Sequence, residues 1–368
     1  MLGSRGIPAS YSGFETFYEQ LSTRLASRGH AVTVYNRSHH VDYRGREYRG
    51  VRLVRLPSVQ TKHLDTLTHT LLSMGHALAS GFDVYYVCIV GNSPVCLLPR
   101  LLRRKVVLNV DGRDAEREKW RGFAKSYLRW TERLAARYLE VLIADARVIQ
   151  RRYLEEFGRE TVFIPYGANL QPRAEVPRRG VLERFGLEAD GYVLFVSRLT
   201  PENGAHVLME AFKASRSRLK LVIVGDAPYV DDYKRQLVAR LDPRIVMTGY
   251  LFGDEYREIS AHCRFFVLPA GIDGTRPVLL DQMGFGNCVV VRDTPANLEV
   301  IGDAGIPFDH RHEVDSLRDR LDELSGDTEK VRRFGERAFE RVRDAYSWDR
   351  VTDEYESLFR RLTGSGEG

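Results

Sequence analysis

Residues 273–281 of this chain read Asp273-Gly-Thr-Arg-Pro-Val-Leu-Leu-Asp281, with two carboxylates eight positions apart. Pro277 suits the first turn of a helix, where its missing N–H breaks no hydrogen bond. Asp273 then lies in the loop before the helix, and Asp281 lies just over one turn inside it. The free N–H groups of a first helical turn favour a phosphate nearby. This combination suits a nucleotide sugar, and a core helix with a capping acid is the plainer alternative.

The overall composition indicates a globular protein of two domains. A chain of 368 residues is too long for one hydrophobic core, and 43% of its residues are hydrophobic. No stretch reaches the roughly 20 apolar residues of a membrane-spanning helix, and no signal-like leader opens the chain. Four scattered cysteines without metal spacing are typical of buried thiols in a reducing compartment. We therefore expect a cytoplasmic protein.

The charge is divided unevenly along the chain. Residues 1–165 carry a net charge of +10, whereas residues 166–368 carry −5. A basic first half predicts an anionic partner, either a phospholipid surface at the inner face of the membrane or a pyrophosphate-linked substrate. Nucleic acid is also anionic, but the chain contains no nucleic-acid recognition motif. The basic residues are also compatible with solvated helix faces.

Short β-branched runs alternate with helical patterns through the whole chain. Continuous apolar runs are typical of parallel strands covered on both faces, and their alternation with helices predicts two doubly wound α/β domains in series. The pattern breaks near residues 167–179, which places the domains at 1–168 and 169–346. The predicted strands are Ala31–Tyr35, Val51–Leu56, Val84–Val90, Val106–Val110, Val141–Ala144, Val162–Pro165, Tyr192–Val196, Leu219–Val224, Ile245–Thr248, Phe265–Leu268 and Cys288–Val291.

Polar and glycine-bearing segments follow several of these strands, where ligands of such sheets bind. Gly13 lies in a loop that opens the first helix, and its backbone can approach a phosphate. Arg198 follows the first strand of the second domain and suits a diphosphate. A plain turn and a surface salt bridge are the alternatives for these two residues. The other strand ends carry Asn109-Val-Asp111-Gly112, Gly225-Asp226 and Gly249-Tyr250-Leu251.

No metal or cofactor site is predicted. His63, His69 and His76 belong to one predicted helix, but the first two do not share a face. Asp231 and Asp232 suit a helix start better than a metal site. No motif supports a nucleophilic Ser or Cys.

The same segments resemble GT-B glycosyltransferases of family 4. Within that family the chain is most similar to bacterial β-1,4-rhamnosyltransferases of capsule and cell-wall polysaccharide assembly, and the resemblance covers almost the whole chain. The residues that carry it are Gly3-Ser-Arg-Gly-Ile-Pro-Ala9, Gly13-Phe-Glu-Thr-Phe17, His63-Leu-Asp-Thr-Leu-Thr-His69, Asn109-Val-Asp-Gly112, Lys119-Trp120, Ile143-Ala-Asp-Ala146, Ile164-Pro-Tyr-Gly-Ala168, Arg198 with Pro201-Glu-Asn203, Gly225-Asp-Ala-Pro228, Gly274-Thr-Arg-Pro-Val-Leu-Leu280 and Ser347-Trp348.

The resemblance implies a function and a role for each of these sites. It implies two Rossmann-like domains that face a cleft, an acceptor-side first domain, a donor-binding second domain, and a final helix over 347–363 that returns to the first domain. The activity would be retaining, metal-independent transfer of a sugar, such as rhamnose from dTDP-rhamnose, to a carbohydrate acceptor carried on lipid. The implied catalytic residues are Asp273, Asp111 and Arg198, and the donor-binding residues are Gly13, Arg198, Asn203, Tyr250, Leu251, Gly274, Thr275, Arg276 and Asp281.

The chain departs from the family at the donor site. Asp273 and Asp281 stand where glutamates are usual, and Asn203 replaces a lysine of the wider family. Arg276 occupies a position that is usually Asn and can replace the missing cation. These changes keep two alternatives open: a degenerate GT-B protein that binds nucleotide or glycan without turnover, and a GT-B sugar-nucleotide epimerase.

The amino end is short for this fold. A strand normally precedes the glycine loop at the centre of the first sheet, and Met1–Gly3 can supply at most about one bridge to its neighbours. We therefore expect either an apolar, β-rich segment upstream of Met1 or a less stable first domain.

Overall fold

The computed structural model describes residues 1–9, 13–61, 64–110, 122–227, 231–271 and 274–364. It divides into two compact units, the first formed by Met1–Gly167 with Trp348–Gly368 and the second by Ala168–Ser347. Both units are α/β, and the roles predicted for them as acceptor and donor domains stay predictions.

The strands and helices alternate as the sequence predicts. The strands are β1 Thr33–Arg37, β2 Glu47–Tyr48, β3 Val51–Leu56, β4 Val84–Cys88, β5 Lys105–Asn109, β6 Val141–Ala144, β7 Val162–Phe163, β8 Tyr192–Val196, β9 Lys220–Val224, β10 Ile245–Gly249, β11 Phe265–Leu268, β12 Val289–Arg292 and β13 Ile306–Phe308. The helices are α1 Gly13–Ser27, α2 Asp65–Ser80, α3 Ser93–Leu101, α4 Phe123–Tyr138, α5 Arg147–Phe157, α6 Val181–Arg184, α7 Ala205–Ala214, α8 Asp231–Val238, α9 Gly253–Ala261, α10 Pro277–Gly284, α11 Pro295–Ile301, α12 Glu313–Gly326, α13 Thr328–Ala345 and α14 Trp348–Thr363. Short 3₁₀ helices cover Val90–Asn92, Arg173–Glu175, Pro201–Asn203 and His310–His312.

The first unit contains a parallel sheet in the order β4-β5-β6-β7 and a second sheet in the order β1-β3-β2. The amino end lies between them. The Leu2 N–H donates to the Tyr86 carbonyl at 2.9 Å, and the Tyr35 N–H donates to the Met1 carbonyl at 3.2 Å. Leu2 makes one isolated bridge, to Val87, which confirms that this end supplies about one bridge.

The last helix packs within the first unit. The Phe17 ring of α1 lies 5.5 Å from the Tyr355 ring and 5.9 Å from the Trp348 ring, both on α14. Arg28 joins the same helices at their surface, where its guanidinium lies 2.6 Å from the Asp353 carboxylate. Burial of these rings therefore stabilises the packing of α14 against α1, although the two helices are far apart in sequence.

The second unit is one six-stranded sheet in the order β10-β9-β8-β11-β12-β13, and every paired strand is parallel. Helices cover its faces, and strands β8, β9 and β11 are almost wholly buried. The predicted fold class of two Rossmann-like, parallel-sheet domains is confirmed. The switch in strand order between β8 and β11 marks the position where such sheets bind ligands.

Candidate nucleotide-binding site

The carboxyl ends of β8, β9 and β10 are joined by backbone hydrogen bonds. The Ser197 N–H donates to the Val224 carbonyl at 3.1 Å, and the Gly225 N–H donates to the Gly249 carbonyl at 2.8 Å. Gly225 has φ of 140°, and a Cβ there would lie 1.8 Å from the Ser197 carbonyl oxygen. Only glycine permits this approach, so the loops after β8 and β9 lie against each other.

Arg198 is exposed at this edge of the sheet. Its guanidinium makes no hydrogen bond or ion pair with any residue in the described part of the chain, and it is therefore available to a ligand. Its backbone is held by Asn203, whose Nδ2 donates to the Arg198 carbonyl at 2.8 Å and to the Thr200 hydroxyl at 3.0 Å. Asn203 is buried and thus supports the loop that carries the arginine. A direct contact of Asn203 with the donor stays a prediction.

An exposed aromatic pair follows β10. The Tyr250 hydroxyl donates to the Asp226 carbonyl at 3.1 Å, and the Tyr250 and Phe252 rings stack with centroids 5.8 Å apart. Leu251 between them is buried. Flat exposed rings suit a nucleobase, because the face of an aromatic ring can stack on the face of a base. The sequence predicts Tyr250 and Leu251 as donor-binding residues, and the structure adds Phe252 as a candidate, which the alternation Tyr-Leu-Phe after a strand could have indicated; the role of all three stays a prediction.

The loop after β11 touches the loop after β8. A Cβ at Gly204 would lie 2.9 Å from the Pro269 carbonyl oxygen, and the Gly271 N–H donates to the Glu202 carbonyl at 3.4 Å. The loop after β11 therefore lies against the edge that bears Arg198, and along the chain it precedes α10.

Helix α10 begins at Pro277, as the sequence predicts. Gly274 before it has φ of 117°, a conformation that favours glycine, and Thr275 is buried. Arg276 is the N-cap residue of the helix. The Val278 N–H has no acceptor among the described residues, which leaves it available to an anion.

Asp281 lies on α10 and is partly buried. Burial raises the pKa of its carboxyl to about 7, and a hydrogen bond from the backbone of Asn169 opposes this rise. Near neutral pH this carboxyl therefore exists in both protonation states, and hydroxyl donors of a ligand would favour its ionised form.

Several predicted residues lie outside the described part of the chain. They are Asp111, Asp273, His63, Lys119 and Trp120. The structure brings Arg198, Asn203, Tyr250 and Leu251 to one edge of the second sheet, and Gly274, Thr275, Arg276 and Asp281 to the start of α10. Gly13 begins α1 in the first unit. The catalytic roles of Asp111 and Asp273 stay predictions.

Two side-chain groups among the described residues have donor atoms close enough to hold a metal ion. In the first, His39, His40 and Asp65 place their donor atoms within 4.8 Å of one another. However, Arg37 lies 2.8 Å from the Asp65 carboxylate. Although burial opposes it, hydrogen bonding from Ser58 and the Arg37 charge hold the pKa of Asp65 at about 2. This carboxylate already has a cationic partner, which disfavours a metal there. The second group is Asp293, Asp309 and His310.

None of the helices in the described ranges is both long and apolar enough to cross a bilayer.

Two family matches cover most of the chain. Residues 190–327 match the family described as glycosyl transferases group 1. Residues 1–169 match a domain family of unknown function, DUF1972.

Individual proteins resemble the chain over nearly its full length. It is 25% identical over 380 residues to O-antigen chain mannosyltransferase C of Escherichia coli, an alignment covering 97% of this chain and 96% of that protein. Its fold is similar to that of sucrose-phosphate synthase from Thermosynechococcus elongatus, with a TM-score of 0.82, 18% identity and coverage of 96% and 94%. It is also similar to Anabaena HepE in complex with UDP and glucose, with a TM-score of 0.79, 17% identity and coverage of 97% and 98%. These neighbours share the GT-B fold.

Proposed function

We propose that this protein, a group 1 glycosyltransferase with the GT-B fold, transfers a sugar from a nucleoside diphosphate to a glycan acceptor with retention of the anomeric configuration. The observation that carries the proposal is the edge formed after β8, β9 and β10. It presents an arginine without a described partner, an exposed aromatic pair and, through the loop after β11, the start of α10.

Each part of this edge suits one part of the donor. Arg198 would hold the diphosphate through charge-assisted hydrogen bonds, and the Val278 N–H at the start of α10 would add a donor. The Tyr250 and Phe252 rings would stack with the base. The ionised Asp281 carboxylate would accept hydrogen bonds from the two ribose hydroxyls. Such preformed donors also stabilise the leaving diphosphate as its charge develops.

We also propose a sugar and a class of acceptor. The resemblance to rhamnosyltransferases suggests rhamnose carried by dTDP, and it implies Asp273 beside the sugar and Asp111 on the acceptor side. The similarity to an O-antigen mannosyltransferase supports a role in polysaccharide synthesis. We place the acceptor on a lipid carrier at the inner membrane face.

The test is a product assay with a panel that includes dTDP-rhamnose, UDP-glucose and GDP-mannose. We expect one donor to raise the melting temperature, and that donor to release nucleoside diphosphate when glycan acceptors are added. Proton NMR of the product would then report the anomeric configuration. Binding without release would instead support a protein without turnover, and a changed nucleotide sugar in the absence of acceptor would support an epimerase.

Donor binding should depend on pH through Asp281. Because the pKa of the carboxyl is about 7 and the ligand hydroxyls favour its ionised form, affinity should rise as pH increases toward 7 and level off above it. The limiting slope is about tenfold per pH unit below the pKa. Calorimetry with a nucleotide sugar between pH 5.5 and 8.5 measures this, because its diphosphate diester does not titrate there. The isosteric Asp281→Asn variant should lose this pH dependence, and an unchanged profile would remove Asp281 from the ribose site.

Turnover should not require a divalent ion. In the proposed site Arg198 and the amides at the start of α10 supply the positive potential that a metal supplies in other transferases. Initial rates in excess chelator should therefore match those in its absence. A complete loss of activity that added magnesium or manganese restores would contradict this prediction.

A further inference from the structure

Helix α4 in the first unit carries an exposed basic stripe. Arg129, Arg133 and Arg137 are spaced by four residues and therefore lie on one helix face, beside Trp130, whose exposed fraction is 49%. Like charges at this spacing destabilise a helix. None of the three arginines forms an ion pair with a residue that the structure describes. The stripe is therefore not neutralised within the described chain.

The end of α3 adds exposed leucines flanked by more cations. Leu101 is 76% exposed and Leu102 is 61% exposed, and Leu98 one turn earlier is 39% exposed. The exposed basic residues around them are Arg100, Arg103, Arg104 and Lys105. These four also lack an ion-pair partner in the described ranges. Two large apolar side chains thus project into solvent between unneutralised cations.

The two helices present these residues together. The Ser93 hydroxyl at the start of α3 donates to the Thr131 carbonyl of α4 at 2.9 Å. At the other end, the guanidinium of Arg100 lies 5.9 Å from the centroid of the Tyr138 ring. Helices α3 and α4 therefore run side by side in the same direction. We call the surface formed by Leu98, residues 100–105, Arg129, Trp130, Arg133, Arg137 and Tyr138 the α3–α4 face.

Some exposed arginines elsewhere in the chain are paired within their own helices. In α13, for example, Arg332 contacts Glu329 at 2.6 Å and Glu336 at 2.5 Å. On the α3–α4 face the adjoining acid of α4, Glu132, is buried and bonded to Arg152 at 3.1 Å, and Glu140 is the exposed acid that follows α4. The face therefore offers seven cations with little acid to balance them, a charge that complements an anionic partner.

We propose that the α3–α4 face docks on an anionic lipid bilayer. The leucines and Trp130 would enter the boundary between headgroups and acyl chains, and the arginines would reach anionic headgroups around them. A nucleic acid would satisfy the cations but would leave Leu101 and Leu102 in water. The inference extends the proposed function, since a lipid-carried acceptor would be met at this surface. The test measures vesicle binding alone, so a negative result would not depend on whether the protein transfers a sugar.

The first experiment is sedimentation of the full chain with vesicles of phosphatidylcholine alone or with phosphatidylglycerol. The triple variant Arg129→Glu, Arg133→Glu, Arg137→Glu should bind the anionic vesicles more than tenfold more weakly than the unmodified chain. A control with the same net charge reverses Lys213, Arg178 and Arg218, which are exposed in the second unit and have no described ion pair. It should bind nearly as well as the unmodified chain. Equal losses in both variants, or equal binding to both vesicles, would overturn the proposal.

The second experiment tests insertion without changing charge. Leu101→Ser with Leu102→Ser should weaken vesicle binding severalfold and leave the melting temperature unchanged, because both side chains are exposed. Brominated acyl chains should quench tryptophan emission of the unmodified chain, and Trp130→Phe should remove that quenching. Absence of quenching in the unmodified chain would overturn insertion. Stronger binding to single-stranded RNA than to anionic vesicles would identify nucleic acid as the partner instead.

Discussion

Replacement of Arg198 by alanine is expected to weaken nucleoside diphosphate binding by about 1.5–3 kcal/mol, a factor of roughly ten to 150. The guanidinium is exposed and has no bond to another described residue, so its removal should cost the protein little stability. Its loss removes charge-assisted hydrogen bonds to the diphosphate. The diphosphate affinity of Arg198→Lys should lie between that of the unmodified chain and that of Arg198→Ala. An ammonium group keeps the charge but cannot form the bidentate hydrogen bonds of a guanidinium.

Calorimetry with a nucleoside diphosphate and with its parent nucleoside separates this role from a general effect on the site. The nucleoside lacks the phosphates, so Arg198→Ala should leave its affinity unchanged. Arg218→Ala, an exposed arginine of the same unit, serves as the control and should bind the diphosphate normally. An unchanged diphosphate affinity in Arg198→Ala would sink the assignment of the site.

Removal of the Glu258 side chain should destabilise the second unit by about 3 kcal/mol or more. This carboxylate is buried on α9 and accepts hydrogen bonds from the N–H groups of Arg179 at 2.6 Å, Val181 at 2.9 Å and Leu182 at 3.2 Å. It thereby caps α6 from a different helix. Glu258→Ala would leave these donors without that acceptor, at about 1–3 kcal/mol for each one that stays buried.

The matched control is Glu255→Ala on the same helix. The Glu255 side chain is 45% exposed and forms a surface ion pair with Arg184 at 2.6 Å, a contact worth at most about 1 kcal/mol. Urea unfolding followed by circular dichroism should therefore show a much lower midpoint for Glu258→Ala than for Glu255→Ala. Similar midpoints for the two variants would show that water or a rearranged loop replaces the cap.

The parallel sheets were predictable because their signal is local. Buried strands read as continuous apolar runs, and four predicted strands have the bounds of β3, β6, β8 and β11. The missed strands lack that signal. Strand β2 has two residues, and β13 contains Pro307 and lies at the edge of its sheet, where a missing N–H is tolerated.

The sequence indicates the residue types of the candidate site but not their energetics. Strand ends and a proline-opened helix indicated Arg198, Tyr250 and Asp281 from sequence alone. The raised pKa of Asp281 was not predictable, since it depends on the groups that bury the carboxyl. Nor could the sequence show that Asn203 supports the Arg198 loop, because that contact depends on how the loop turns.

The sequence by itself determined two α/β domains, the positions of most strands and a basic first half, because hydrophobic period, turn residues and charge are properties of neighbouring positions. Only the tertiary structure decided which charges are balanced. Glu258 meets amides 76–79 positions earlier in the chain, whereas the arginines of α4 meet no acid among the described residues. Partners of this kind are brought together by packing between distant elements, and no local pattern encodes that packing.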